Sequence, residues 1–88
     1  MSNDDIVDVF TNIKNSEEMK TFFHEILSPR EIADLELRWQ LLKELHSGET
    51  QRSIAARHHI SLCKITRGSK LLKSENSTVK KVLDSGLS

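Results

Sequence analysis

The chain has 88 residues, with thirteen basic and thirteen acidic side chains, one cysteine (Cys63) and no apolar run long enough to span a membrane. A lone cysteine excludes an internal disulfide and a cysteine-built zinc site, no secretory signal is expected from the acidic N-terminus, and nothing pairs a nucleophile with a base or gathers metal ligands. A single cytoplasmic domain over residues 1–88 is expected, neither enzyme nor metalloprotein, with no membrane partner and a core small enough to need a second subunit.

Only Pro29 and three glycines punctuate a composition rich in leucine, lysine, glutamate, serine and isoleucine, which predicts helices throughout. The first should cover about residues 4 to 14, capped by Asn3 or Asp4, with Ile6, Val9, Phe10 and Ile13 on one face. A second is expected at 16 to 27: Glu17 and Glu18 suit its N-terminal dipole, and Met19, Phe22, Phe23 and Ile26 form its apolar side. Two short helices with this much apolar surface require a partner.

Ser28 and Pro29 announce a third helix, serine as cap and proline at the first helical position, with Glu31 placed to close a capping box. It should run to residue 47 as the central strut. Ile32, Leu35, Trp39, Leu42 and Leu45 line one face, and Leu37 and Leu41 widen the stripe, so burial on more than one side is expected. Trp39 reads as core. Gly48 stands where a left-handed residue ends a helix.

From 50 to 73 the pattern is a helix-turn-helix. Thr50 caps a first helix to about residue 58, with Ile54 and Ala55 on its apolar face, and His59 can take the left-handed position of the turn. Ser61 should cap the second helix, 62 to 73, with Ile60 and Ile65 as a hydrophobic staple and Leu62, Ile65 and Leu72 buried. Gly68 would admit close approach of another backbone. The stretch carries six cations (Arg52, Arg57, Lys64, Arg67, Lys70, Lys73) and no carboxylate, whereas residues 1 to 49 hold eleven acids against five bases. This segregation, inside a neutral total, presents cations to phosphate and is the layout of a second helix entering a major groove. An αα-hairpin with a solvated basic face, or a protein–protein module docking an acidic partner, would share the composition. A last helix is expected from Asn76 to about Leu87, with Val79, Val82, Leu83 and Leu87 packing back on the N-terminal helices.

Leu27-Ser28-Pro29, Glu31, Arg38, Gly48-Glu49, Gln51-Arg52, Ile65-Thr66-Arg67-Gly68-Ser69 and Leu72-Lys73 together resemble the bacterial tryptophan repressor family over about residues 16 to 73. The resemblance implies an intertwined, all-helical homodimer of six-helix subunits that represses transcription on double-stranded operator DNA, with L-tryptophan or a related indole as corepressor and no other cofactor. It implies DNA contacts from Gln51, Arg52, Leu62, Cys63, Lys64, Thr66 and Lys73. Ligand contacts are implied for Leu27, Ser28, Arg38, Leu42, Arg67 and Gly68, with Arg38 and Arg67 flanking the indole ring. Lys64 stands where the family usually has threonine, and Leu71 where it has a serine that helps hold the ligand's amino group. The loop before the first motif helix is one residue shorter than is common. A repressor of the same fold with a changed or lost ligand is therefore a second expectation.

Plainer readings stand beside these. Arg38 can pair with Asp34 one turn earlier, a contact of roughly 0.2–0.5 kcal/mol. Arg67 can face solvent or phosphate, and Cys63 can be a redox-sensing thiol or a small residue touching a thymine methyl. Adjacent histidines His58 and His59 fit a turn better than a metal site, which on a helix wants i, i+4 spacing.

Overall fold

Among the described residues, helix-forming sequence between local stop signals yields six α-helices: α1 (Asp4–Asn12), α2 (Ser16–Ile26), α3 (Pro29–His46), α4 (Gln51–His58), α5 (Leu62–Lys73) and α6 (Thr78–Asp84). The computed structural model describes residues 4 to 86, which contain no strand, so the expected Asn3 cap and the apolar Leu87 lie outside the described residues. No described helix is long and apolar enough to cross a membrane. The chain divides into two compact units, one ending at Leu35 and one beginning at Glu36.

In the N-terminal unit, α1 ends at Asn12, two residues before the expected boundary. The cap of α2 is Asn15, whose Oδ1 accepts from the backbone N–H groups of Glu17 at 2.7 Å and Glu18 at 3.2 Å. An asparagine carbonyl reaches two of the free N–H groups of a first turn, and Ser16 becomes the first helical residue. Phe10 meets Phe22 and Phe23 edge to face, with centroids 5.6 and 5.8 Å apart. The capping box of α3 forms as its spacing predicts. The Glu31 N–H donates to Ser28 Oγ at 3.2 Å, and the Ser28 N–H donates to Glu31 Oε1 at 2.8 Å. The bond from the Ser28 N–H foremost, with hydrogen bonding from the Ser28 side chain, holds the Glu31 carboxyl below its ordinary range. No described side chain of this unit is buried, and Leu35, expected in the stripe of α3, is exposed.

The C-terminal unit closes around Leu41, Ile54 and Ile65, with Leu37, Leu45, Ala55 and Ile60 packed against them. Ile54 and Ile65 are fully buried. Burial on α3 is concentrated at its C-terminal end, in Leu41, Leu42 and Glu44, and Trp39 is only half-buried. A turn of three residues joins α4 to α5. His59 takes the left-handed conformation at φ 56°, ending α4, while the Thr50 hydroxyl accepts from the Ser53 N–H at 3.2 Å to begin it. Ser61 holds the N-cap position of α5 but its side chain makes no capping bond, and Leu62, expected in the core, is exposed. Ile60 packs on the cluster that contains Ile65. Gly48, at φ 99°, occupies the left-handed position after α3. The last helix starts at Thr78, two residues late, because the nearly buried Ser77 caps it by accepting from the Lys80 N–H at 3.1 Å. Its buried side chain, Leu83, serves the C-terminal unit, in which α6 packs on α5 and Asp84 meets His46 of α3 at 2.7 Å.

Candidate DNA interface and ligand cavity

The helix-turn-helix is fixed to α3 by a carboxylate. Glu44 is 8% exposed and accepts from Gln40 Nε2 at 2.8 Å, from His58 Nε2 at 2.8 Å and from the Arg57 guanidinium. Burial alone would raise its carboxyl pKa. Bonds from Gln40 and His58, with the charge of Arg57, outweigh that and hold it below the ordinary carboxylate value. Arg57 also grips Glu49 through both terminal nitrogens, which lowers the Glu49 carboxyl chiefly by hydrogen bonding. Arg57 is thereby removed from the set of six cations expected to face phosphate. Arg52, Lys64, Arg67, Lys70 and Lys73 are all exposed and make no ion pair among the described residues.

The residues expected at DNA fall into three groups. Arg52, Leu62, Cys63 and Lys73 are exposed around the start of α4 and along α5. Gln51 and Thr66 are half-buried and held together: the Thr66 hydroxyl lies 3.0 Å from Gln51 Oε1 and 2.9 Å from the Leu62 carbonyl, and its single proton serves one acceptor at a time. This contact fixes the start of α4 against the middle of α5. Lys64, expected only at DNA, lines a cavity between α3 and α5.

That cavity has a volume of about 160 Å³ and is lined by Arg38, Leu41, Leu42, Leu45, Lys64, Ile65, Arg67, Gly68 and Leu71. Four of the six residues expected at a ligand are thus brought together: Arg38 and Leu42 from α3, Arg67 and Gly68 from α5. The helix repeat explains why. Positions 38, 41, 42 and 45 share one face of α3, and positions 64, 68 and 71 share one face of α5. A methyl group on Gly68 would meet the side chains of Leu42 and Leu45 at 3.2 Å each, so glycine is what lets α5 lie this close to α3. Leu27 and Ser28 lie at the junction of α2 and α3 in the N-terminal unit, where the Ser28 hydroxyl is engaged in its capping box. Arg38 makes no ion pair among the described residues, so its pairing with Asp34 does not form.

Glu44, Arg57, His58 and the cavity walls Leu41, Leu45 and Ile65 were absent from the expected site. Glu44 carried a signal, an acid set among Leu41, Leu42 and Leu45 in the apolar phase of α3. Its partners Arg57 and His58 stand thirteen and fourteen residues away, beyond any local rule. His58 and His59 act as bonding partner and turn residue, and no group of three or more histidine, cysteine, aspartate or glutamate side chains suited to a metal occurs among the described residues.

The family described as Trp repressor protein matches residues 2–87. Two curated relatives, each a "Trp operon repressor homolog", come from Chlamydia trachomatis serovar L2 and serovar L2b. Each is 36% identical over 66 residues, which cover 74% of this chain and 70% of the relative. No solved structure matches the chain.

Proposed function

This chain belongs to the Trp repressor family, and on that premise we propose that it is a homodimeric, sequence-specific repressor whose grip on operator DNA is set by a small corepressor, L-tryptophan or a related indole. A Trp-repressor-like DNA-binding regulator is no enzyme, and the finer reading concerns its ligand and its contacts. One domain of 88 residues would carry the helix-turn-helix over 50–73, and a second copy would cover the apolar faces of α1 and α2. Two copies present two recognition helices, as an operator with half-sites about one helical turn apart requires.

The observation that carries the reading is that α5 has two working faces. Leu62, Cys63 and Lys73 are exposed on the helix whose Arg67 and Gly68 line the cavity against α3. A ligand seated there touches α3 and α5 together, so it can favour one setting of the recognition helix. The affinity it adds for DNA equals its preference for the DNA-competent conformation and no more. Lys64 and Thr66 complete the proposed DNA set with Gln51 and Arg52, and Leu27 and Ser28 complete the ligand set by resemblance.

Operator binding by alanine variants tests the proposal. Arg52 suits the O6/N7 edge of a guanine, so Arg52→Ala should cost about 1–3 kcal/mol on a sequence-selected duplex and less on a random one. Lys73→Ala should weaken both duplexes alike and make the salt dependence shallower, as loss of one phosphate contact does. Equal losses on both duplexes for Arg52→Ala would reduce Arg52 to a phosphate contact. Loss of any preference for a selected duplex in the unaltered protein would overturn the sequence-specific reading.

A further inference from the structure

We propose, resting on the sequence-specific reading above, that Arg57 is a positioning residue for base readout: it touches no DNA, and by bridging Glu44 and Glu49 it fixes the roll of α4 that aims Arg52 at a base edge. Arg57 Nη1 donates to Glu44 Oε1 at 2.5 Å and to Glu49 Oε2 at 2.7 Å, and Nη2 donates to Glu49 Oε1. One guanidinium thus joins the last turn of α3, the link from α3 to α4 and the last turn of α4. Two carboxylates face this one cation, so the patch does not draw phosphate as an unpaired arginine would.

Apolar packing alone orients α4 weakly. The helix has eight residues and one buried side chain, Ile54, with Ala55 packed against the same core. Its start is tied to α5 by the Gln51–Thr66 contact, in which the one hydroxyl proton is shared with the Leu62 carbonyl. Positions 54, 57 and 58 share one face of α4 by their spacing, and that face meets α3, where His58 Nε2 lies 2.8 Å from Glu44 Oε2. Arg52 stands two residues before Ile54, roughly 200° around the helix, and is exposed. A roll of α4 therefore swings Arg52 across the groove as it shifts the anchored face. A paired contact from a guanidinium to a guanine edge tolerates little such displacement.

Exposure separates orientation from stability. The Arg57 side chain is 46% exposed and that of Glu49 32%, so the pair contributes little to folding. Without Arg57, Glu44 keeps its bonds to Gln40 and His58. What the fork supplies is direction: two nitrogens on one carboxylate fix a plane, which a single-point ammonium does not.

Binding of the full chain to a sequence-selected duplex and to a random one, each over a range of salt, tests this. Arg57→Met should weaken the selected duplex about tenfold and the random one less than about twofold, with an unchanged salt slope on both. Arg57→Lys keeps the charge without the fork and should fall between; it carries the same comparison should Arg57→Met fail to fold. In an Arg52→Ala background, Arg57→Met should remove no further discrimination, because the side chain it aims is gone. A role in stability alone would weaken both duplexes alike in either background. A shallower salt slope for Arg57→Met would make Arg57 a phosphate contact and overturn the inference. So would a further loss of discrimination on top of Arg52→Ala. If Arg52→Ala loses discrimination while Arg57→Met keeps it, the inference falls and the sequence-specific reading stands. If the unaltered protein binds both duplexes equally, both fall.

Discussion

From Glu36 onward the described chain buries two isoleucines completely, and up to Leu35 it buries no side chain at all. The difference does not come from apolar content. Ile6, Val7, Val9, Phe10 and Ile26 are large enough to build a core, yet they are 36% to 52% exposed. Helices of nine and eleven residues are marginal by themselves, and here Phe10 of α1 meets Phe22 and Phe23 of α2. In the other unit α3, α4 and α5 enclose Ile54 and Ile65 from several sides, and an ion-paired carboxylate ties α4 to α3. One region is complete as a core, and the other presents faces that a second copy can complete.

The largest test of this contrast is Ile65→Ala. Truncating a fully buried isoleucine removes both its transfer energy and the packing of its neighbours, so a loss of about 2–5 kcal/mol is expected in urea unfolding followed by circular dichroism. A loss below about 1 kcal/mol would mean that this core is not what holds the C-terminal unit. Next in size is Phe10→Ala, which abolishes two edge-to-face contacts worth about 0.5–1.5 kcal/mol each. If a second copy completes α1 and α2, the melting temperature rises with protein concentration and Phe10→Ala strengthens that dependence. A melt independent of concentration from micromolar upward would erase the proposed distinction between the regions.

The smallest effect is acid sensitivity. Glu44 has a lowered pKa in the folded protein, despite the upward push of burial, so the unfolded chain takes up its proton first as pH falls. The stability linked to this group is complete above its ordinary value of 4.5 and is lost as pH drops through the folded-state value. Glu44→Gln should therefore flatten the acid side of a plot of melting temperature against pH. A profile with the same slope as the unaltered protein would show that the Glu44 cluster does not tie α4 down.

Features governed by three or four neighbouring residues could be read directly. The Ser28–Glu31 capping box, the Thr50 cap, the left-handed His59 and Gly48 and the bounds of α5 all formed where spacing placed them. The cavity set was readable in part, because Arg38 and Leu42 share a face of α3 while Arg67 and Gly68 sit in a motif with a specific pattern. The Asn15 cap of α2 lies outside the expected set, and Ser61 holds its position without its bond. Serine and asparagine can both cap, and side-chain rotamer settles which bond is made.

The sequence by itself determined six helices, their order, the turn between α4 and α5 and the segregation of charge, because each follows from backbone preferences and contacts within about one turn. Only the tertiary structure decided that Leu62 and Leu35 stay exposed, that Glu44 is buried, that Arg57 is spent on two carboxylates, and that Lys64 lines a cavity. Each of those outcomes depends on a partner brought close by folding, such as Arg57 thirteen residues from Glu44, and periodicity can assign a face to a side chain without saying what will meet it.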